Sequence, residues 1–65
     1  MLYKKIKKLL NIKNEYSSKE ELFNTLLKID KQVKIIDDYF KIYLINDDEF
    51  IKLSILNSDN IKVYL

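Results

Sequence analysis

The chain has 65 residues, enough for a single domain (1-65) whose core is close to the smallest that can offset the entropy of folding. It contains no Cys and no His, which excludes disulfides, the common zinc sites and Cys/His nucleophiles. It also contains no Gly or Pro, which excludes glycine-rich phosphate-binding loops, and its formal net charge is only +2. We expect no cofactor and no metal.

No apolar stretch approaches the roughly 20 residues that a membrane-spanning helix needs. Residues 1–13 contain five Lys and no acidic residue, and they lack the apolar region of a secretory signal. We therefore expect a soluble, cytoplasmic protein without a membrane partner, in which positive charge is concentrated near the N-terminus.

The first predicted element is an amphipathic helix of about ten residues. Its apolar side chains fall on one half of a helical wheel: Leu2, Tyr3, Ile6, Leu9, Leu10 and Ile12. Asn11 or Asn14 is expected to end the helix, because Asn tolerates the left-handed conformation found at helix C-termini. The alternative is that this helix lies on an anionic membrane. Packing inside the protein is favoured, because so small a domain needs the apolar side of the helix for its core.

The second predicted element is a helix that begins near residue 17 and runs to Ile29. Ser17 with Glu20, or Ser18 with Glu21, matches the capping box that starts many helices. The apolar residues that follow, Leu22, Phe23, Leu26, Leu27 and Ile29, lie on one side of the helix.

From Lys31 onward the apolar period changes to two, and β-branched and aromatic residues dominate. This pattern predicts four strands, at residues 32–36, 39–45, 50–56 and 61–65. The predicted loops are Asp37–Asp38, Asn46–Glu49 and Asn57–Asp59, because Asp and Asn suit turn conformations.

These loops pair Ile35 with Phe40, Leu44 with Ile51, and Ile55 with Ile61. The inner face of the sheet is then wholly apolar and carries Val33, Ile35, Phe40, Ile42, Leu44, Ile51, Leu53, Ile55, Ile61, Val63 and Leu65. Helices must cover it. We predict a two-layer α+β fold in which two N-terminal helices pack on a four-stranded antiparallel meander (ααββββ).

The opposite face of the predicted sheet is unusually apolar for a surface exposed to water. It would present Ile36, Tyr39, Tyr43, Ile45, Phe50, Leu56 and Tyr64. A contiguous apolar patch of this kind usually marks an interaction site, and aromatic residues are favoured at interface cores. We take these seven residues as the candidate partner-binding site, for a protein partner or for a second copy in a homodimer.

The same face also suggests an alternative, the binding of single-stranded nucleic acid. Lysines would neutralise phosphates and tyrosine rings would stack on bases, through Lys34, Lys41, Lys52, Lys62, Tyr39, Tyr43 and Tyr64. In the predicted register Lys34 lies directly opposite Lys41. Ordinary solvated cross-strand pairing explains these lysines equally well.

Catalysis is not expected, because no pair of ionisable residues is predicted to converge in a buried pocket, and no small-molecule substrate is expected. Asp37, Asp38 and Asp59 lie in turns at the same end of the meander and could approach a hard cation, but Asp is also a common turn residue.

The sequence therefore favours a small non-catalytic protein-binding module that acts by occlusion or scaffolding. Lys, Ile and Asn are abundant and Arg is absent, which is typical of AT-rich coding sequences. By size and composition the chain is similar to compact inhibitors carried by phages and other mobile elements, including inhibitors of host defence nucleases. This likeness is analogy, with no residue motif behind it.

Overall fold

The computed structural model describes residues 1–65 as two helices and a five-stranded antiparallel sheet. The elements are α1 (Leu2–Ile12), β1 (Glu15–Tyr16), α2 (Lys19–Ile29), β2 (Lys34–Asp38), β3 (Lys41–Asn46), β4 (Glu49–Asn57) and β5 (Ile61–Tyr64). The strand order is β1-β5-β4-β3-β2. The predicted α+β class and antiparallel meander are confirmed, but the prediction of four strands is wrong because β1 adds a fifth.

Helix α1 buries a narrower stripe than its sequence predicts. Leu2 and Ile6 are buried in the core and Leu9 and Leu10 pack against it, whereas Tyr3 and Ile12 are exposed. The predicted end at a left-handed Asn is also wrong. Lys13 takes the C-cap position with an extended backbone, and its N–H donates to the carbonyl of Leu9.

Helix α2 begins at the second of the two capping patterns. The Ser18 hydroxyl oxygen accepts a hydrogen bond from the Glu21 N–H at 3.1 Å. The Glu21 carboxylate in turn accepts the N–H of Ser17 at 3.0 Å, so each side chain satisfies a free donor near the helix start. Leu22 and Leu26 of this helix are buried in the core.

Strand β1 was not predicted, because a segment of two residues is too short to show a periodicity. Glu15 lies opposite Lys62 and Tyr16 opposite Ile61, so β1 pairs with β5. The Tyr16 side chain is only 2% exposed, and its hydroxyl donates to the carbonyl of Lys13 at 3.0 Å. Burial raises the pKa of this hydroxyl, and the charge of Glu21 raises it further.

The hairpin between β2 and β3 turns two residues later than predicted. Its turn is Tyr39–Phe40 rather than Asp37–Asp38, so Ile35 lies opposite Leu44 and not opposite Phe40. Phe40, which was predicted to be in the core, is 63% exposed.

Contacts with α2 hold this turn in place. The Lys19 ammonium donates to the Asp37 carboxylate at 3.0 Å and to the Tyr39 carbonyl at 3.3 Å, and it lies 5.5 Å from the centroid of the Tyr39 ring. The Tyr39 and Phe40 rings make an edge contact, with 4.4 Å between their centroids. Tyr39 has a φ of 49°, a conformation in which Gly is the usual residue and for which this chain has none.

The β3–β4 register is the predicted one, with Leu44 opposite Ile51. The β4–β5 register is shifted by two residues, so Ile55 lies opposite Val63 instead of Ile61. Leu65 lies beyond the end of β5 and is exposed, not in the core as predicted. A shift of two residues keeps every side chain on the same face, so sequence alternation cannot detect it.

The helices and the inner face of the sheet share one apolar core. Its buried side chains are Leu2, Ile6, Tyr16, Leu22, Leu26, Val33, Ile42, Leu44, Ile51, Leu53, Ile55, Ile61 and Val63. Ile35, predicted to be inward, is partly buried against this cluster.

Glu49 attaches the start of α1 to the sheet. Its two carboxylate oxygens accept the N–H groups of Leu2 at 2.8 Å and Tyr3 at 3.1 Å, and α1 has no side-chain cap at Met1. A carboxylate at this position satisfies two free donors and complements the positive end of the helix dipole. The hydrogen bonds from Leu2 and Tyr3 lower the pKa of Glu49.

We expect Glu49→Gln to lower the stability of the protein at neutral pH, because Gln keeps the shape but loses the charge. The lowered pKa means that the ionised carboxylate stabilises the fold above the ordinary Glu pKa of about 4.3. This contribution is lost as the pH falls through the lower pKa of the folded state. The difference in urea midpoint between wild type and variant should therefore shrink on acidification, and a difference that is constant with pH would contradict this role.

Candidate functional site

The outer face of the sheet consists of the side chains that point away from the helices. They are Glu15, Lys34, Ile36, Asp38, Lys41, Tyr43, Ile45, Phe50, Lys52, Ser54, Leu56, Lys62 and Tyr64. None of them belongs to the buried core, whereas their neighbours along β3, β4 and β5 do, so alternation along the strands separates the two faces cleanly.

Four of the predicted partner-binding residues form one contiguous apolar patch across β2, β3 and β4. Ile45 lies directly opposite Phe50, and Tyr43 directly opposite Ile36. The Tyr43 and Phe50 rings join the two pairs diagonally, with 5.5 Å between ring centroids. Phe50 is 65% exposed and Ile36 is 40% exposed. We call Ile36, Tyr43, Ile45 and Phe50 the apolar patch.

The other three predicted residues lie outside this patch. Leu56 and Tyr64 are diagonal neighbours toward the other end of β4, since Tyr64 is opposite Ser54 and Leu56 is opposite Lys62. Tyr39 is in the β2–β3 turn, next to Lys19 of α2, rather than on the outer face.

The lysines of the outer face do not form the basic ridge that the predicted register implied. Lys41 lies opposite Asp38 on one side and Ser54 on the other, so the predicted pairing of Lys34 with Lys41 is wrong. The Lys62 ammonium is 3.6 Å from a carboxylate oxygen of Glu15.

Lys34 and Lys52 flank the apolar patch instead. Lys34 lies opposite Ile45, and Lys52 lies opposite Tyr43. Neither ammonium has a carboxylate within ion-pair distance. The patch thus has a lysine ammonium at each of two borders. Lys34 is on β2 and Lys52 is on β4, and both strands are hydrogen-bonded to β3.

Asp38 and Glu15 are outer-face residues that the sequence interpretation missed. Asp38 was predicted to lie in a turn and Glu15 was assigned to no element, whereas both belong to strands. The alternation of Lys34, Ile36 and Asp38 could have revealed that Asp38 is on the outer face. Nothing in the sequence indicates that Glu15 is.

The remaining ionisable groups have structural partners or are spread over the surface. Asp37 is paired with Lys19, and no three acidic side chains come close enough together to hold a metal ion. The surface contains no enclosed pocket. The two groups with shifted pKa values, Tyr16 and Glu49, are engaged in the backbone hydrogen bonds described above.

Neither helix is long and apolar enough to cross a membrane. In comparisons with known proteins, no family model, no curated protein and no solved structure matched this chain.

We expect Phe50 to be dispensable for folding, in contrast to Leu53 three residues later on the same strand. Phe50→Ser should lower the free energy of unfolding by about 1 kcal/mol or less, because the side chain is largely exposed and loses mainly its contact with Tyr43. Leu53→Ala removes a fully buried side chain and should cost about 2–5 kcal/mol. Urea unfolding of both variants tests this, and equal losses would show that Phe50 serves stability.

Proposed function

We propose that the chain is a small non-catalytic protein-binding module that docks its outer face onto a protein partner, with the apolar patch at the centre of the interface. The observation that supports this most directly is the contiguity of Ile36, Tyr43, Ile45 and Phe50 on the solvent side of the sheet. The core on the other side already contains 13 buried side chains and does not use these four.

The arrangement of the apolar patch and its border supports a protein interface. Cores of protein interfaces are enriched in aromatic and large apolar residues, and their rims are polar and charged. Here Tyr43 and Phe50 lie at the centre, while Lys34 and Lys52 lie at the border. Because the patch is built on paired strands, little conformational entropy would be lost when it binds.

Single-stranded nucleic acid is the alternative ligand for this face. Lys34 and Lys52 have no ion-pair partner and could contact phosphates. Protein binding is favoured because Asp38 lies beside Lys41 and Glu15 beside Lys62, which reduces the positive potential. Base stacking also needs a free ring, and one side of Tyr43 is already covered by Phe50.

A binding module that catalyses no reaction can act by occlusion, that is, by covering a surface of its partner. A flat, rigid sheet face can cover a functional surface of its partner and compete with that partner's substrate. An inhibitor carried by a phage or another mobile element, acting on a host protein such as a defence nuclease, is the biological setting that we propose from size and composition. A homodimer through the outer face is the other form of the same proposal.

The double variant I45S/F50S should lose protein binding while it keeps its fold. We expect a loss of about 2 kcal/mol or more of binding free energy, because the variant removes two of the four side chains of the patch. Affinity capture from host extract with quantitative mass spectrometry measures a foreign partner, and light scattering over a concentration series measures self-association. Tyr3→Ser with Ile12→Ser is the matched control, since both are exposed apolar residues on α1.

A nucleic acid interaction would behave differently. Substituting Lys34, Lys41, Lys52 and Lys62 with Ser should weaken binding to a labelled single-stranded oligonucleotide and reduce its salt dependence, while I45S/F50S should have little effect. If I45S/F50S matches the wild type in the protein assays and the lysine variant matches it in the oligonucleotide assay, the outer face is not the functional site.

A further inference from the structure

The two edges of the sheet differ in their capacity to pair with another strand. One edge is β1, which has two residues, and the other is β2, which has five and no further neighbour. An open strand of this length presents unpaired backbone groups and is a template for strand addition.

The hydrogen-bonding pattern identifies the free backbone groups of β2. The Phe40 carbonyl accepts the Ile55 N–H at 2.8 Å, so the even-numbered residues of β3 direct their backbone groups to β4 and the odd-numbered ones to β2. Lys34, Ile36 and Asp38 lie opposite the odd-numbered residues and are bonded to β3. The N–H and C=O groups of Ile35 and Asp37 therefore face the open edge.

We propose that two copies of this chain associate edge to edge through antiparallel pairing of β2, about a two-fold axis at Ile36. In this register Ile36 lies opposite the partner's Ile36, and Ile35 exchanges backbone hydrogen bonds with the partner's Asp37. The free backbone N–H and C=O groups of Ile35 and Asp37 are thereby hydrogen-bonded to the second copy. The two-fold symmetry repeats this pair on the other side of the axis.

Charge complementarity selects this register among those that the backbone allows. Lys34 lies opposite the partner's Asp38 on the outer face, and the symmetry repeats the pair. A shift that centres the axis on Asp37 would place two like charges opposite each other, and one that centres it on Ile35 would lose both Lys–Asp pairs. On the inner face Asp37 lies opposite the partner's half-buried Ile35, and its charge is already compensated by Lys19.

The dimer would contain one continuous ten-stranded sheet with both outer faces on the same side. Ile36 belongs to the apolar patch and lies on the axis, so the patches of the two copies would merge into one. This association uses the strand edge and does not depend on the proposed docking of the outer face to another protein.

Charge reversal at Lys34 and at Asp38 tests the register. Lys34→Glu should weaken dimerisation about tenfold or more in sedimentation or light scattering, because two attractive pairs become repulsive. Asp38→Lys should do the same. Lys5→Glu, the same change at an exposed position of α1 that belongs to neither proposed interface, is the matched control and should leave the dimer intact.

An equimolar mixture of the two charge-reversed variants should regain the wild-type affinity. In the heterodimer the new carboxylate at position 34 of one copy lies opposite the new ammonium at position 38 of the other. The second pair is the original one, Asp38 opposite Lys34. A mixture that stays as weak as the separate variants would show that these two positions do not face each other.

Amide hydrogen exchange gives a second readout that needs no variant. The amides of Ile35 and Asp37 should become more protected as protein concentration rises, whereas that of Ile36, already bonded to β3, should not change. A chain that stays monomeric into the millimolar range would overturn the proposal. So would a dimer that I45S/F50S abolishes and Lys34→Glu does not affect, because that result assigns self-association to the outer face.

Discussion

Covering the inner face of the sheet is the constraint on which the rest of this structure depends. Every buried side chain of that face is apolar, and only two helices of 11 residues each are present to shield it. Such short helices are marginal by themselves and are stabilised mainly by packing. Glu49 and Lys19 link them to the sheet through hydrogen bonds to the start of α1 and the β2–β3 turn.

These links also explain how the chain forms tight turns without Gly. Two of the three hairpin turns place a residue other than Gly at positive φ, Tyr39 and Asp47, where a side chain is unfavourable. At Tyr39 the contacts with Lys19 and Phe40 offset that strain. The turn is thus held by an interaction between a helix and a hairpin that are about 20 residues apart in sequence.

Because the helices cover one face only, the other remains available for binding. The apolar patch is held by the same strands that build the core, so its rigidity needs no additional structure. Ile36 belongs to both proposed interactions. It is the residue of the apolar patch on the open strand β2, and it is also the residue at which β2 would pair with a second copy. Self-association and partner binding could therefore extend one another.

The sequence by itself determined the two helices, a capping box at Ser17 or Ser18, the antiparallel meander and the sorting of most apolar residues between the faces. All of these depend on local periodicity and on side chains close in sequence. The β3–β4 register was also accessible, because Asp47 and Asp48 form its turn. Of the candidate site, all residues except Tyr39 were correctly assigned to the outer face, namely Ile36, Tyr43, Ile45, Phe50, Leu56 and Tyr64.

Only the tertiary structure decided the registers of β2 with β3 and of β4 with β5, the strand β1, the exposure of Phe40 and Leu65, and the position of Tyr39. A register shift by an even number of residues preserves the alternation of faces, so the sequence pattern is the same before and after it. Contacts between residues distant in sequence, such as Lys19 with Asp37, are present only in the observed β2–β3 register. The register in turn sets which charges are neighbours on the outer face.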